Sequence, residues 1–196
     1  KKFAIKCVEA GVDAIVAEGF EAGGHNGIEE LTTMCLIPLI SKEIDLPIIA
    51  AGGISSGYSM LAAFSLGADG IQMGSRFVAS KECSAHINFK NRIVDADDAE
   101  TELTLKELTA VRLMKNDFFY QIKDAYSKNA SVIELKKILG KGRAKKGMFE
   151  GDLKNGELEI GQVSALLDDI LPVSEIMSRI ILEYEEAVLR IDKFKI

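Results

Sequence analysis

Three short apolar runs in the first half of the chain each end in glycine: DAIVAEG at 13–19, PIIAAGG at 47–53 and ADGIQMG at 68–74. Between them the apolar positions change to helical spacing, as at Leu36, Leu39 and Ile40. Short runs without alternation are the habit of parallel strands buried on both faces, and the change of period marks crossover helices. The pattern predicts strands over 14–17, 47–51 and 70–73, with helices over 2–10, 34–43 and 56–66. Gly11 and Gly67 stand just past helix ends, where a left-handed residue closes the last turn. Thr32 or Thr33 is placed to cap the second helix. Pro38 argues for a late start to that helix, because only the first turn accepts proline without losing a hydrogen bond. Further on, the pattern predicts helix over 81–94, a solvated acidic loop over 95–100, and helix again over 105–126, 132–139 and 173–191.

Composition narrows this picture. A chain of 196 residues with 47% hydrophobic positions can bury one core of ordinary size, and a net charge of −6 argues against nucleic acid as a partner. Cys7, Cys35 and Cys83 are scattered and form no CxxC pair, so neither a disulfide framework nor a metal site is expected. No window reaches the roughly 18 apolar residues of a membrane span, and no secretion leader is visible, which makes the cytoplasm the expected location. Cys35, flanked by Met34 and Leu36, reads as buried and has no base beside it, so a nucleophilic role is not assigned. The chain opens without methionine directly in a helix pattern, and a (β/α)8 TIM barrel needs roughly 250 residues. The expectation is an α/β fold that forms the C-terminal part of such a barrel. Residues 1–100 would supply its βα units and 101–196 a helical extension packed on it.

In a parallel α/β fold, chemistry gathers at the carboxyl ends of the strands. There the chain places Gly52-Gly53 and Gly74-Ser75, two loops at βα spacing. Glycine lets backbone N–H groups approach an anion, a following helix start adds partial positive charge, and Ser75 adds a hydroxyl. A phosphate site is the reading favoured over simple tight turns. His25 follows the first strand in EAGGHNG, where Gly23 and Gly24 allow close approach of a ligand and an imidazole can exchange a proton near neutral pH. His86, in SAHINF, reads as a packing or hydrogen-bonding residue. Lys141, Arg143, Lys145 and Lys146 make a basic knot. It is read as a solvated loop, with docking of an acidic partner as the sharper alternative.

EAGGHNG, LTTM, AAGGI and GADGIQMGSRF with the trailing SAHINF together closely resemble the nitronate monooxygenase (2-nitropropane dioxygenase) family of flavoproteins, which includes the flavin-dependent enoyl-acyl carrier protein reductases of type II. The likeness is dense over 1–100 and looser through VRLMKNDF, GRAKKGMFEGD and ELEIGQVSALL. It implies an FMN-binding barrel in which His25 is the active-site histidine. Gly52, Gly53 and Gly74 would be the phosphate-binding glycines, and Ser75 stands where threonine is frequent. Glu18, Gly24 and Ala51 match flavin-proximal positions, with Gly23 beside them. Gln162 stands either as a residue that closes the site or as a helix start. The activity implied is oxidation of alkyl nitronates with oxygen. One alternative is NAD(P)H-dependent enoyl-acyl carrier protein reduction in fatty acid synthesis, with acyl carrier protein as partner. The other is a non-catalytic fragment that binds a phosphate ligand. A small-molecule substrate and a homodimer are the remaining expectations.

Overall fold

Helix α1 (Lys2–Glu9) ends at Gly11, whose φ of +76° closes it, and leads into strand β1 (Ile15–Glu18). Then follow a two-residue strand β2 (Gly24–His25), helix α2 (Thr33–Ser41), strand β3 (Ile48–Ala51), helix α3 (Gly57–Ser65), strand β4 (Gly70–Gln72) and one turn of helix α4 (Ser75–Val78). This computed structural model describes residues 1–194. Strands β1, β3 and β4 form a parallel sheet in that order, Glu18 beside Ala51 and Ala51 beside Gln72, so their carboxyl ends share one edge. Ile15, Ile48 and Ala50 of the sheet meet Ile37 and Ile40 of α2 and Ala63 of α3 in one core. Each isoleucine removed from water there contributes about 1.5–3 kcal/mol.

Helix α2 departs from expectation at its start. It begins at Thr33 and carries Pro38 inside. Burial of Ile37 and Ile40 on the sheet outweighs the one lost backbone bond. The Thr32 side chain makes no cap; instead the Glu21 carboxylate accepts from the Thr33 N–H at 3.0 Å. The Thr33 hydroxyl donates to the Gly52 carbonyl at 2.7 Å, which ties the helix start to the glycine loop. Cys35 is exposed, against expectation, because α2 turns Ile37 and Ile40 to the core instead.

The second half of the chain departs further. Helix α5 (Ile87–Val94) is shorter than the predicted 81–94 and begins at His86, whose Nδ1 accepts from the Asn88 N–H at 3.1 Å. Residues 81–85 stay out of the helix, and their carbonyls serve another purpose. The Lys90 ammonium, 6% exposed, donates to the carbonyls of Ser80 and Cys83 at 2.6 Å each and of Lys81 at 3.4 Å. Where helix was expected over 105–126, strands β5 (Thr101–Thr104) and β6 (Val111–Met114) form an antiparallel hairpin, and helix α6 (Asp117–Ser127) starts only at the Asn116 cap. All four residues of β6 are buried, and β6 pairs on its other edge with β2, Gly24 opposite Arg112 and His25 opposite Val111. The helical reading of 105–116 is therefore replaced by a strand that holds the His25 loop.

Helix α7 (Val132–Leu139) opens with a capping box from Ser131 and Glu134. A π-helical turn (Lys145–Phe149) and a 3-10 turn (Gln162–Leu166) precede helix α8 (Val173–Asp192). Helix α8 packs on α3, and Glu183 accepts from the Gly57 N–H at 2.8 Å. Among the described residues no helix is long and apolar enough to cross a membrane.

Replacing Lys90 by methionine leaves the buried Ser80 carbonyl and the partly buried Cys83 and Lys81 carbonyls without this donor. The expected loss is about 2 kcal/mol of stability, since an unmet buried acceptor costs ~1–3 kcal/mol. Urea unfolding checks it, and an unchanged midpoint with an unchanged slope would show that the ammonium contributes nothing.

Candidate active site

The shared edge of β1, β3 and β4 opens onto a cavity of about 190 Å³. Glu18 reaches it from the end of β1, Ala51 with Gly52 and Gly53 from the end of β3, and Gly74 with Ser75 from the turn after β4. Gly23 joins from the loop after β1, and Gly161 and Val163 close the far side. Seven of the ten residues singled out from the sequence thus line one cavity.

Gly52 has φ +84°, and a Cβ there would lie 2.5 Å from the Gly19 carbonyl oxygen. A side chain is excluded by both backbone conformation and space. Gly53 is also left-handed, at φ +73°. Gly74 differs: its backbone is right-handed, and a Cβ would meet nothing within 4 Å. Its missing side chain leaves open space within the cavity lining. Among the described residues none accepts a hydrogen bond from the N–H of Gly52, Gly53 or Gly74. Ser75 Oγ accepts from the Gly161 N–H at 3.0 Å, so its own proton remains for a further acceptor. Unpaired backbone donors with room before them make an anion cradle.

The lining holds no lysine, arginine or histidine; its charged side chains are Glu18, Glu21 and Glu159. Burial pushes the Glu18 carboxyl above the ordinary range. The Glu21 carboxylate is occupied at the start of α2. An anion here would be held by peptide dipoles and not by side-chain cations.

The other three sequence candidates lie outside this lining. Gly24 is buried at φ +77°, and a Cβ on it would stand 2.7 Å from Glu159 Oε2. His25 is exposed on β2, beyond Gly24. The loop carrying both is braced by Asn26, whose side-chain amide donates to the Ala22 and Gly24 carbonyls at 3.0 Å. Gln162 is exposed and opens the 3-10 turn, its backbone N–H donating to the Glu21 carbonyl at 2.9 Å. The turn presents Gly161 and Val163, not the Gln162 side chain, to the cavity.

Several residues escaped the sequence reading. Arg112 on β6 is 2% exposed and donates to the Phe20 carbonyl through Nε at 3.0 Å and Nη2 at 2.8 Å, with its guanidinium 5.0 Å from the Phe20 ring centre. It fixes the chain just before the His25 loop. Burial draws its proton affinity down, while Glu21, Glu30 and Glu102 oppose that. Met148, on the π-helical turn, and Glu159 both line the cavity. Glu157 is buried two residues before Glu159, its carboxyl pushed up to about 7 by burial and then by the charge of Glu159. VRLMKNDF, GRAKKGMFEGD and ELEIGQ contain these residues, but nothing in their spacing says that they meet.

The basic knot is largely engaged internally. Arg143 lies 4.3 Å over the Phe118 ring and donates to the carbonyls of Leu139 and Asn155 at 2.8 Å. Lys146 pairs with Asp152 at 3.0 Å and Lys145 with Glu150 at 3.6 Å. This favours the bland reading of the knot over a free landing site.

The family model described as nitronate monooxygenase matches residues 2–183. A nitronate monooxygenase of Paraburkholderia phytofirmans is 33% identical over 193 residues, which is 94% of this chain and 52% of that protein. The structure of FabK from Thermotoga maritima is similar over 99% of this chain and 61% of that one, with a TM-score of 0.92 and 37% identity. Nitroalkane oxidase from Streptomyces ansochromogenes is similar over 97% of this chain and 56% of that one, with a TM-score of 0.77 and 29% identity. The chain thus spans little more than half the length of these relatives.

Proposed function

Because the chain belongs to the nitronate monooxygenase family, we propose that its glycine cradle binds the phosphate of FMN in an oxidoreductase that oxidises alkyl nitronates with oxygen. The observation that carries this reading is the open space before Gly74 beside the unpaired N–H groups of Gly52 and Gly53. Those donors and the Ser75 hydroxyl suit a phosphate, and Glu18, Gly23 and Ala51 line the same cavity, where they would face the rest of a bound flavin. At about 190 Å³ the cavity is smaller than the roughly 300–1,000 Å³ usual for a whole ligand, so it takes the phosphate end. In this reading β1, β3 and β4 belong to a (β/α)8 barrel, residues 1–100 being its C-terminal units and 101–196 an extension that packs on it.

A bound flavin would supply the redox chemistry, electron transfer from substrate to oxygen. The protein's own work is to hold the phosphate and to manage charge and protons. His25, held on β2 by backbone pairing with β6, stands ready to donate to a nitro oxygen or to exchange a proton with substrate. Gly24 keeps the backbone close on that side, and Gln162 opens the turn that brings Gly161 against Ser75.

The likeness to FabK over 99% of the chain favours a second reading, NAD(P)H-dependent reduction of an enoyl thioester carried on acyl carrier protein. One pair of assays separates the two. The purified full-length protein is expected to be yellow and to consume oxygen with propionate-3-nitronate. Turnover only with NADH or NADPH and a crotonyl thioester would move the assignment to the reductase. A colourless protein that binds phosphate ligands without either turnover would leave a binding module.

A further inference from the structure

The far wall of the cavity belongs to a strap, residues 161–171, that is fastened to α4 and the turn after it at both ends. At its start the Gly161 N–H donates to Ser75 Oγ at 3.0 Å. A Cβ on Gly161 would come within 2.9 Å of both Ser75 Oγ and the Glu21 carbonyl oxygen, so glycine permits this approach. Gly161 and Val163 then line the cavity, and Leu167 joins the core with Phe89 and Ile93. Near the other end the Asp169 carbonyl accepts from Arg76 Nη2 at 2.8 Å, and Asp169 Oδ1 lies 3.0 Å from Arg76 Nη1. The same Nη2 donates at 2.9 Å to the carbonyl of Ala79, the residue that ends α4. Asp169 Oδ2 accepts from Arg179 Nη1 of α8 at 2.6 Å. Last, Leu171 bridges Ser80 in parallel, and its carbonyl accepts from the Lys81 N–H at 2.9 Å. Ser75 and Arg76 are consecutive, so the hydroxyl of the cradle and the guanidinium that holds the strap sit on one turn of helix.

We propose that Arg76 is a positioning residue of the phosphate cradle: by tying Asp169 to the end of α4 it holds the strap where Gly161 engages Ser75, which leaves the Ser75 proton for the ligand. The role deepens the function proposed above and rests on it for the identity of that ligand, the phosphate of FMN. Arg76 is 5% exposed, and its Nε has no hydrogen-bond partner. A buried ion pair is a poor means of gaining stability, since an apolar side chain of the same size often serves as well or better. A guanidinium supplies geometry instead, because its planar fork sets both the distance and the angle between the groups it joins. Here it joins the backbone of α4 to the backbone of the strap.

Arg76 does not line the cavity, so it acts through Ser75 and the strap. A serine hydroxyl has one proton and two acceptor sites. With the Gly161 N–H on one acceptor site, the rotation of the hydroxyl is restricted and its proton is kept free for another acceptor. A strap released from Arg76 would let that hydroxyl turn and would draw Gly161 and Val163 away from the wall.

The test uses the full-length protein and the variants Arg76→Met, Arg76→Lys, Asp169→Asn and Ser75→Ala. Arg76→Met should weaken FMN binding roughly tenfold, the scale of one hydrogen bond to a charged group. Arg76→Lys, with a single ammonium in place of the fork, should recover only part of that loss. In a Ser75→Ala background the same Arg76→Met change should weaken binding much less, because the hydroxyl it acts through is gone. A role in general stability would instead give the same fold-change in both backgrounds, and that result overturns the proposal, as does unaltered FMN affinity in Arg76→Met. Amide hydrogen exchange of the flavin-free protein gives a second reading. Residues 161–169 should exchange faster in Arg76→Met and Asp169→Asn, with α3 at the parental rate. A parent protein that binds no FMN, with exchange faster in the variants, would fail the functional reading alone. Exchange of 161–169 unchanged in both variants overturns the fastening, whatever the protein binds. Should Arg76→Met not fold, Arg76→Lys and Asp169→Asn carry both measurements.

Discussion

Valine in place of Gly74 should empty the cofactor site while leaving the fold in place. Gly74 has φ −97° and ψ −70°, a conformation open to any residue, and a Cβ there meets no atom within 4 Å. The added side chain projects into space that a phosphate would need. Losing two hydrogen bonds to a charged group at about 1.5 kcal/mol or more each weakens binding by about 3 kcal/mol, on the order of 10²-fold. Valine caps a helix poorly, which costs at most about 1 kcal/mol at the single-turn helix α4. Flavin absorbance after gel filtration checks the first effect and circular dichroism the second. The choice of position matters. Gly52→Val would drive Cβ into the Gly19 carbonyl at 2.5 Å, and Gly53→Val would strain a backbone at φ +73°, so either could lose flavin through a broken loop. Flavin retained at parental occupancy in Gly74→Val would dismiss the phosphate assignment.

His25→Ala should act in the opposite way, keeping flavin and losing turnover by ~10²-fold or more, the scale of a lost proton-exchanging group. His25 holds its place through the backbone pair with Val111, which alanine preserves, and its exposed ring fills no core. The fold and the cradle are therefore undisturbed, and Gly24 still faces Glu159. A full steady-state analysis with nitronate and oxygen, alongside flavin content, reads the two effects separately. Undiminished kcat and kcat/KM in a flavin-replete variant would take His25 out of the chemistry. A parallel loss of flavin would instead make it part of the binding loop.

What the sequence by itself determined is the part of the protein governed by local rules. The unalternating apolar run at 48–51 becomes a strand buried along nearly all its length in the middle of the parallel sheet, whereas the similar run at 15–18 becomes the neighbouring strand with only Ile15 and Ala17 buried. Glycines after those runs mark the edge of the cavity, where only glycine takes the left-handed turn at Gly52 beside the Gly19 carbonyl. The helical spacing over 132–139 holds, and its start is closed locally by Ser131 and Glu134, three residues apart. Tertiary structure decided whatever depended on partners far along the chain. Pro38 lies inside α2 because the sheet buries Ile37 and Ile40, which no local propensity expresses. Residues 101–114 form a hairpin because β6 finds β2 nearly ninety residues earlier, and a period count over 105–126 cannot register that pairing. Glu159 comes up against Gly24 for the same reason. Charge and burial act through space, and only the folded chain brings Glu159 to the edge of the cavity beside Gly24.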